Sequence, residues 1–105
     1  MGQLPNGIVA LLGRANGVQS EDDLFRMLAE IMKFPSYFGD NWNAFDECAR
    51  DMSWLNAGGY VIVIQDAAHL WRVLPEECGM LVEVWLLAAE EWGRDGKPFH
   101  LVFSW

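Results

Sequence analysis

Three short apolar runs limit what this chain can fold into more than any other feature. They are Ile8–Leu12 (IVALL), Tyr60–Gln65 (YVIVIQ) and Phe99–Phe103 (FHLVF). Each is rich in branched or aromatic residues and too short for an amphipathic helix, and each reads as a strand buried on both faces. Gly13, the pair Gly58-Gly59 and the GRDGKP segment of Gly93–Pro98 punctuate them. The intervals between the runs are far too long for hairpins and carry helical patterns. Strands joined by helix-containing crossovers lie parallel, and such crossovers are right-handed by strong default. The expected fold class is therefore α/β: a small three-stranded parallel sheet covered by helices.

The helices are readable from their signals. Ser20 with Asp23 three residues on resembles a capping box, and Leu24, Phe25, Leu28, Ile31 and Met32 then recur at helical spacing. Pro35 requires that helix to stop by Phe34. A second helix fits Asn41 to about Met52, with Trp42, Ala44, Phe45, Cys48, Ala49 and Met52 on one side. Asn43, Asp46, Glu47, Arg50 and Asp51 fall on the other. A short helix over Asp66–Val73 and a longer one from Glu76 to about Trp92 complete the pattern. No repeat, linker or low-complexity tract interrupts residues 1–105, which read as one domain.

Charge narrows the partners. Fifteen Asp and Glu against seven Lys and Arg give a net charge of −8, which repels phosphate backbones and anionic membranes and attracts basic proteins. The N-terminal MGQLPNGIVALLGR has no basic start and only a five-residue apolar run, so no leader is expected. No stretch approaches the roughly 20 apolar residues of a membrane span. The two cysteines, Cys48 and Cys78, are too few for a disulfide framework and point to a cytoplasmic protein with free thiols.

Signals for catalysis are weak. His69 and His100 are the only histidines, one on the short helix and one in a strand expected to be buried; neither has a nucleophile or carboxylate at a defensible spacing. No Cys or His pair has metal-ligand spacing, and Cys48 falls on an apolar helix side. GRANGV at Gly13–Val18 sits where a phosphate loop would, but lacks both the glycine pattern and the lysine. The doublets Asp46/Glu47 and Glu90/Glu91 diverge by about 100° on a helix and make no natural dyad. Neither an enzyme nor a cofactor or metal is expected.

That leaves Phe34–Leu55, FPSYFGDNWNAFDECARDMSWL, where an aromatic loop precedes a short acidic helix. Gly39 is expected to let the loop turn sharply into Asn41. Phe34, Phe38 and Trp42 read as staples to the core, whereas the hydroxyl of Tyr37 favours an outward position. Rigid aromatics beside a charged helix are common anchors of protein interfaces.

YFGDNWNAFDEC resembles the barstar family of intracellular ribonuclease inhibitors, and the order of elements resembles it along essentially the whole chain. The resemblance implies that the loop and acidic helix press into a ribonuclease active site, carboxylates taking the place of RNA phosphates. On that resemblance Tyr37 and Gly39 match loop contacts and Asn41 the helix start. Asn43 stands where the family has a contacting Asp, Asp46 where it has a Trp, and Glu47 where it has the Asp that plugs the site. Asp51 lies on the same acidic face, and Glu90 or Glu91 matches a further contact from a later helix. The implied partner is a basic ribonuclease or nuclease toxin bound 1:1, with this chain as its immunity protein or antitoxin. The alternative is an interaction module that turns the same acidic face to another basic partner.

Overall fold

The computed structural model describes residues 3–4 and 7–105. Positions 1, 2, 5 and 6 lie outside the described residues, and with them part of the expected 1–105 domain and of the reading of the N-terminus as leaderless. The elements run β1 (Gln3–Leu4), β2 (Ile8–Arg14), α1 (Glu21–Met32), α2 (Trp42–Asp51), a 3-10 turn (Ser53–Leu55), β3 (Gly59–Gln65), α3 (Ala67–Val73), α4 (Pro75–Arg94) and β4 (Phe99–Phe103).

β2, β3 and β4 form the expected three-stranded parallel sheet, in register from Ile8↔Gly59 to Arg14↔Gln65 and from Tyr60↔Phe99 to Ile64↔Phe103. The two residues of β1 add a short antiparallel edge to β2. Spatial order follows chain order, β1-β2-β3-β4. In such a sheet every right-handed crossover lays its helix over the same face.

Burial on both faces is accordingly not what the strands have. Leu11, Tyr60, Ile62, Ile64 and Phe99 are buried beneath the helices, whereas Leu12 and Val102 on the opposite face are 41% and 42% exposed. His100, expected in a buried strand, is exposed because it belongs to that open face. Two glycines expected to punctuate strands lie inside them. A Cβ on Gly13 would run into Ile31 Cγ1, and one on Gly59 would sit 2.6 Å from Pro98 Cγ. The first lets α1 lie close on β2, and the second lets Pro98 approach β3.

The caps explain the helix limits. Ser20 Oγ accepts from Asp23 N, and Lys33, in the left-handed region at φ 57°, ends α1 ahead of Pro35. The core gathers α1, α2 and α4 on the covered face, with Phe25, Phe45 and Trp85 among its largest members. The remaining aromatics are distributed around it. Trp85 stacks on Phe99 with centroids 4.2 Å apart, and Trp92 packs against both Phe99 and Tyr60.

Candidate functional site

α2 is an amphipathic helix held at both ends. At its start Asn41 is the N-cap: its Oδ1 accepts from Ala44 N at 2.8 Å, and its Nδ2 donates to Gly39 O at 3.0 Å. The side chain of Asn41 is thereby used within the loop. At its far end Trp92 Nε1 donates to Ala49 O at 2.8 Å, and Tyr60 Oη donates to Leu55 O at 2.6 Å just beyond. Phe45, Cys48 and Ala49 are buried, which turns Asn43, Glu47, Arg50 and Asp51 to solvent.

The aromatic loop is fastened as its composition suggests. Phe34 and Phe38 meet at 4.8 Å between centroids, Phe38 reaches Phe25 at 6.1 Å, and Trp42 packs on Phe25 at 4.8 Å. Tyr37 alone faces out, at 71% exposure. The sharp turn, however, is not made by Gly39. Asp40 takes the left-handed conformation, φ 51°, and among the described glycines only Gly7 and Gly96 have positive φ. What Gly39 provides is proximity, since a Cβ there would lie 3.3 Å from Asn41 Nδ2 and 3.7 Å from Ala44 Cβ. Asp tolerates the left-handed region, and the turn leaves its carboxylate exposed beside the site.

Of the residues singled out from sequence, Tyr37, Glu47 and Asp51 come together around a recess of about 130 Å³, with Phe38, Ala44 and Cys48 as its other walls. Electrostatics agrees with the grouping. Desolvation first, and then the Asp51 carboxylate, raise the pKa of the Tyr37 hydroxyl. Burial, followed by the charges of Asp51 and Glu47, pushes the Cys48 thiol up as well. Cys48 is therefore a neutral, buried wall of the recess and no nucleophile.

Asp46, Glu90 and Glu91 lie in a second hollow of about 280 Å³ between α2 and α4, beside Leu87, Arg50 and Arg94. Their charges are partly neutralised from within. Arg50 donates to Asp46 Oδ2 at 2.9 Å and to Glu91 Oε2 at 3.2 Å, and Arg94 donates to Glu90 Oε1 at 3.4 Å. Hydrogen bonding to Glu91, then the Asp46 charge, raise the Arg50 pKa, so the guanidinium stays charged. Glu47 and Asp51 have no such cation among the described residues. Arg50, in the second hollow, and Asp40, at the turn ahead of α2, are the residues of these surroundings that the sequence did not single out. The i,i+4 spacing of Asp46 and Arg50 could have signalled the first half of the network.

No group of three or more His, Cys, Asp or Glu that could hold a metal occurs among the described residues. His69 Nε2 lies 2.8 Å from Val18 O, in a structural contact. No described helix is long and apolar enough to cross a membrane. Fold and surface together define a class: a small parallel α/β protein that displays an exposed tyrosine and unneutralised carboxylates on one helix.

The chain belongs to the barstar family, Barstar (barnase inhibitor), whose profile matches residues 10–104. No curated protein matches the chain. Membership makes it an inhibitor-type protein and not an enzyme, with a barnase-like ribonuclease as the partner class.

Proposed function

We propose that this protein is the intracellular inhibitor of a microbial ribonuclease toxin, its antitoxin or immunity protein, and that it blocks the nuclease active site 1:1 with the aromatic loop and α2. The observation that carries the reading is the recess at Tyr37. Two carboxylates, Glu47 and Asp51, stand there without an internal cation among the described residues, beside an aromatic that is 71% exposed. Unpaired carboxylates on a rigid helix are what a basic, phosphate-binding cleft would accept in place of RNA. Glu47 is the plug, Tyr37 the flanking aromatic contact, and Asn43 a neutral hydrogen-bonding neighbour. Asp51 adds charge at the C-terminal end of α2. Specificity among nucleases lies in Asn43, Asp46 and Glu47, where this chain carries side chains of different length or charge from those the family motif implies. The free, buried thiols of Cys48 and Cys78 suit a reducing cytoplasm.

The test is stoichiometric inhibition of a panel of small secreted and toxin-type ribonucleases, with wild type, Glu47→Ala and Asp51→Ala side by side. Glu47→Ala is expected to weaken binding to the inhibited nuclease by roughly 2–5 kcal/mol, about thirtyfold or more in Kd, a range that itself draws on barnase-type complexes. A panel member inhibited equally well by both variants would place the contact surface elsewhere. Inhibition of none would turn the same acidic face toward a different basic partner.

A further inference from the structure

Arg50 is placed to pair with more than one acid. On α2 it lies four residues after Asp46 and three after Glu47, and both spacings bring side chains together on a helix. The sequence of α2 alone therefore leaves its guanidinium a choice. In the structure one nitrogen donates to Asp46 Oδ2 at 2.9 Å and another to Glu91 Oε2, on α4, at 3.2 Å. Glu47 receives no cation among the described residues.

Glu91 tips that choice. A guanidinium carries donors at both ends of its fork, so a position between Asp46 and Glu91 satisfies two carboxylates, whereas a turn toward Glu47 leaves Glu91 behind. The meeting of Arg50 and Glu91 is also prepared by their neighbours. Trp92 Nε1 donates to Ala49 O at 2.8 Å, and Ala49 precedes Arg50 as Trp92 follows Glu91. Exposed ion pairs are normally weak because long side chains must be ordered to form them. Here the two helices are already tied one residue away, which lowers that cost.

We infer that Glu91 is a positioning residue of the recess at Tyr37: by holding Arg50 toward α4 it keeps Glu47 uncompensated and open to a partner's cations. Glu91 itself lines the other hollow, beside Arg50 and Arg94, and not the recess. Released from Glu91, Arg50 turns to Glu47 and occupies from within the carboxylate that a partner would use. The inference rests on the proposed function only in taking the recess as the surface that meets the partner.

A hexa-arginine peptide supplies the cations, so the test needs no nuclease. Titration at about 20 mM salt, followed by the amide resonances of Tyr37 and Glu47, gives the affinity at the recess. Glu91→Gln is expected to weaken it by about threefold or more relative to Glu83→Gln. The latter removes the same charge from an exposed position of α4 that makes no ion pair among the described residues. Arg50→Met, which keeps most of the stem, is expected not to weaken it. In that background Glu91→Gln should cost no more than Glu83→Gln, because the residue through which Glu91 acts is gone. Equal losses from Glu91→Gln in both backgrounds would make Glu91 a direct contact and overturn the inference. So would a Glu91→Gln protein that binds as well as Glu83→Gln, or a peptide that leaves Tyr37 and Glu47 unshifted in wild type. The ribonuclease panel keeps the two readings apart: the expected peptide pattern with no nuclease inhibited sinks the proposed function and leaves the role of Glu91 standing.

Discussion

Arg50 divides the acidic surface into two kinds of carboxylate. It holds Asp46 and Glu91 in a half-exposed fork, and leaves Glu47 and Asp51 without an ion-pair partner among the described residues. Exposed or half-exposed pairs contribute little each, and a shared guanidinium on two helices adds their effects. Arg50→Ala is expected to lower the stability of the free protein by about 1 kcal/mol, and most of that loss should vanish in about 1 M salt. Glu47→Ala, which removes no internal partner, should leave stability within about 0.5 kcal/mol of wild type. Thermal melts at low and high salt decide it: a loss in Arg50→Ala that salt does not diminish would assign Arg50 a packing role through its stem. The residue scale is also where the sequence is hardest to read. That the loop turns on Asp40 and not Gly39 depends on where Asn41 Nδ2 and the Ala44 methyl come to rest, a three-dimensional fact with no one-residue signature. A helix starting at Asn41 was legible from its pattern, but that Asn41 stands just ahead of α2 as its N-cap, accepting from Ala44 N, shows only in three dimensions.

Elements were more legible than their surroundings. Apolar runs, capping residues and Pro35 act over a few residues, so strands and helices fall close to where local chemistry puts them. What local chemistry lacks is the layer arrangement. Val61, Val63 and Val102 look as apolar as core residues, yet they lie on the uncovered face, because chain-order strand placement sends every helix to the other side. The two strand glycines show the same limit: each reads as a break in one dimension and is a close contact in three. They also differ in what they approach. The Cβ of Gly13→Ala would meet the flexible end of Ile31, which can turn away. That of Gly59→Ala would meet the Pro98 ring at 2.6 Å and the Pro98 carbonyl oxygen at 2.9 Å, both fixed to the backbone. We expect Gly59→Ala to destabilise by about 3 kcal/mol or more and Gly13→Ala by roughly 1–2 kcal/mol. Urea denaturation gives both values, and the reverse ranking would mean that β3 and Pro98 can separate more easily than α1 can adjust over β2.

At the scale of the whole molecule, charge and shape enter the proposed function separately. Net charge was legible from composition, but its effect depends on placement: α4 carries carboxylates toward α2 and apolar residues toward β4. Under the proposed function a field of −8 acts before contact, whereas the recess at Tyr37 acts only after it. The two contributions should therefore separate in kinetics with the inhibited nuclease. Raising salt from about 20 mM to about 500 mM shrinks the Debye length several-fold and should slow association by about tenfold or more, with a far smaller change in dissociation. Glu47→Ala at fixed salt should do the opposite, speeding dissociation much more than it slows association, since one charge of the net −8 is a small part of the long-range field and a large part of the local fit. Stopped-flow measurement of both rates at both salts resolves the matter. An association rate indifferent to salt would mean that the acidity serves solubility alone, and the encounter would then be guided by the aromatic loop.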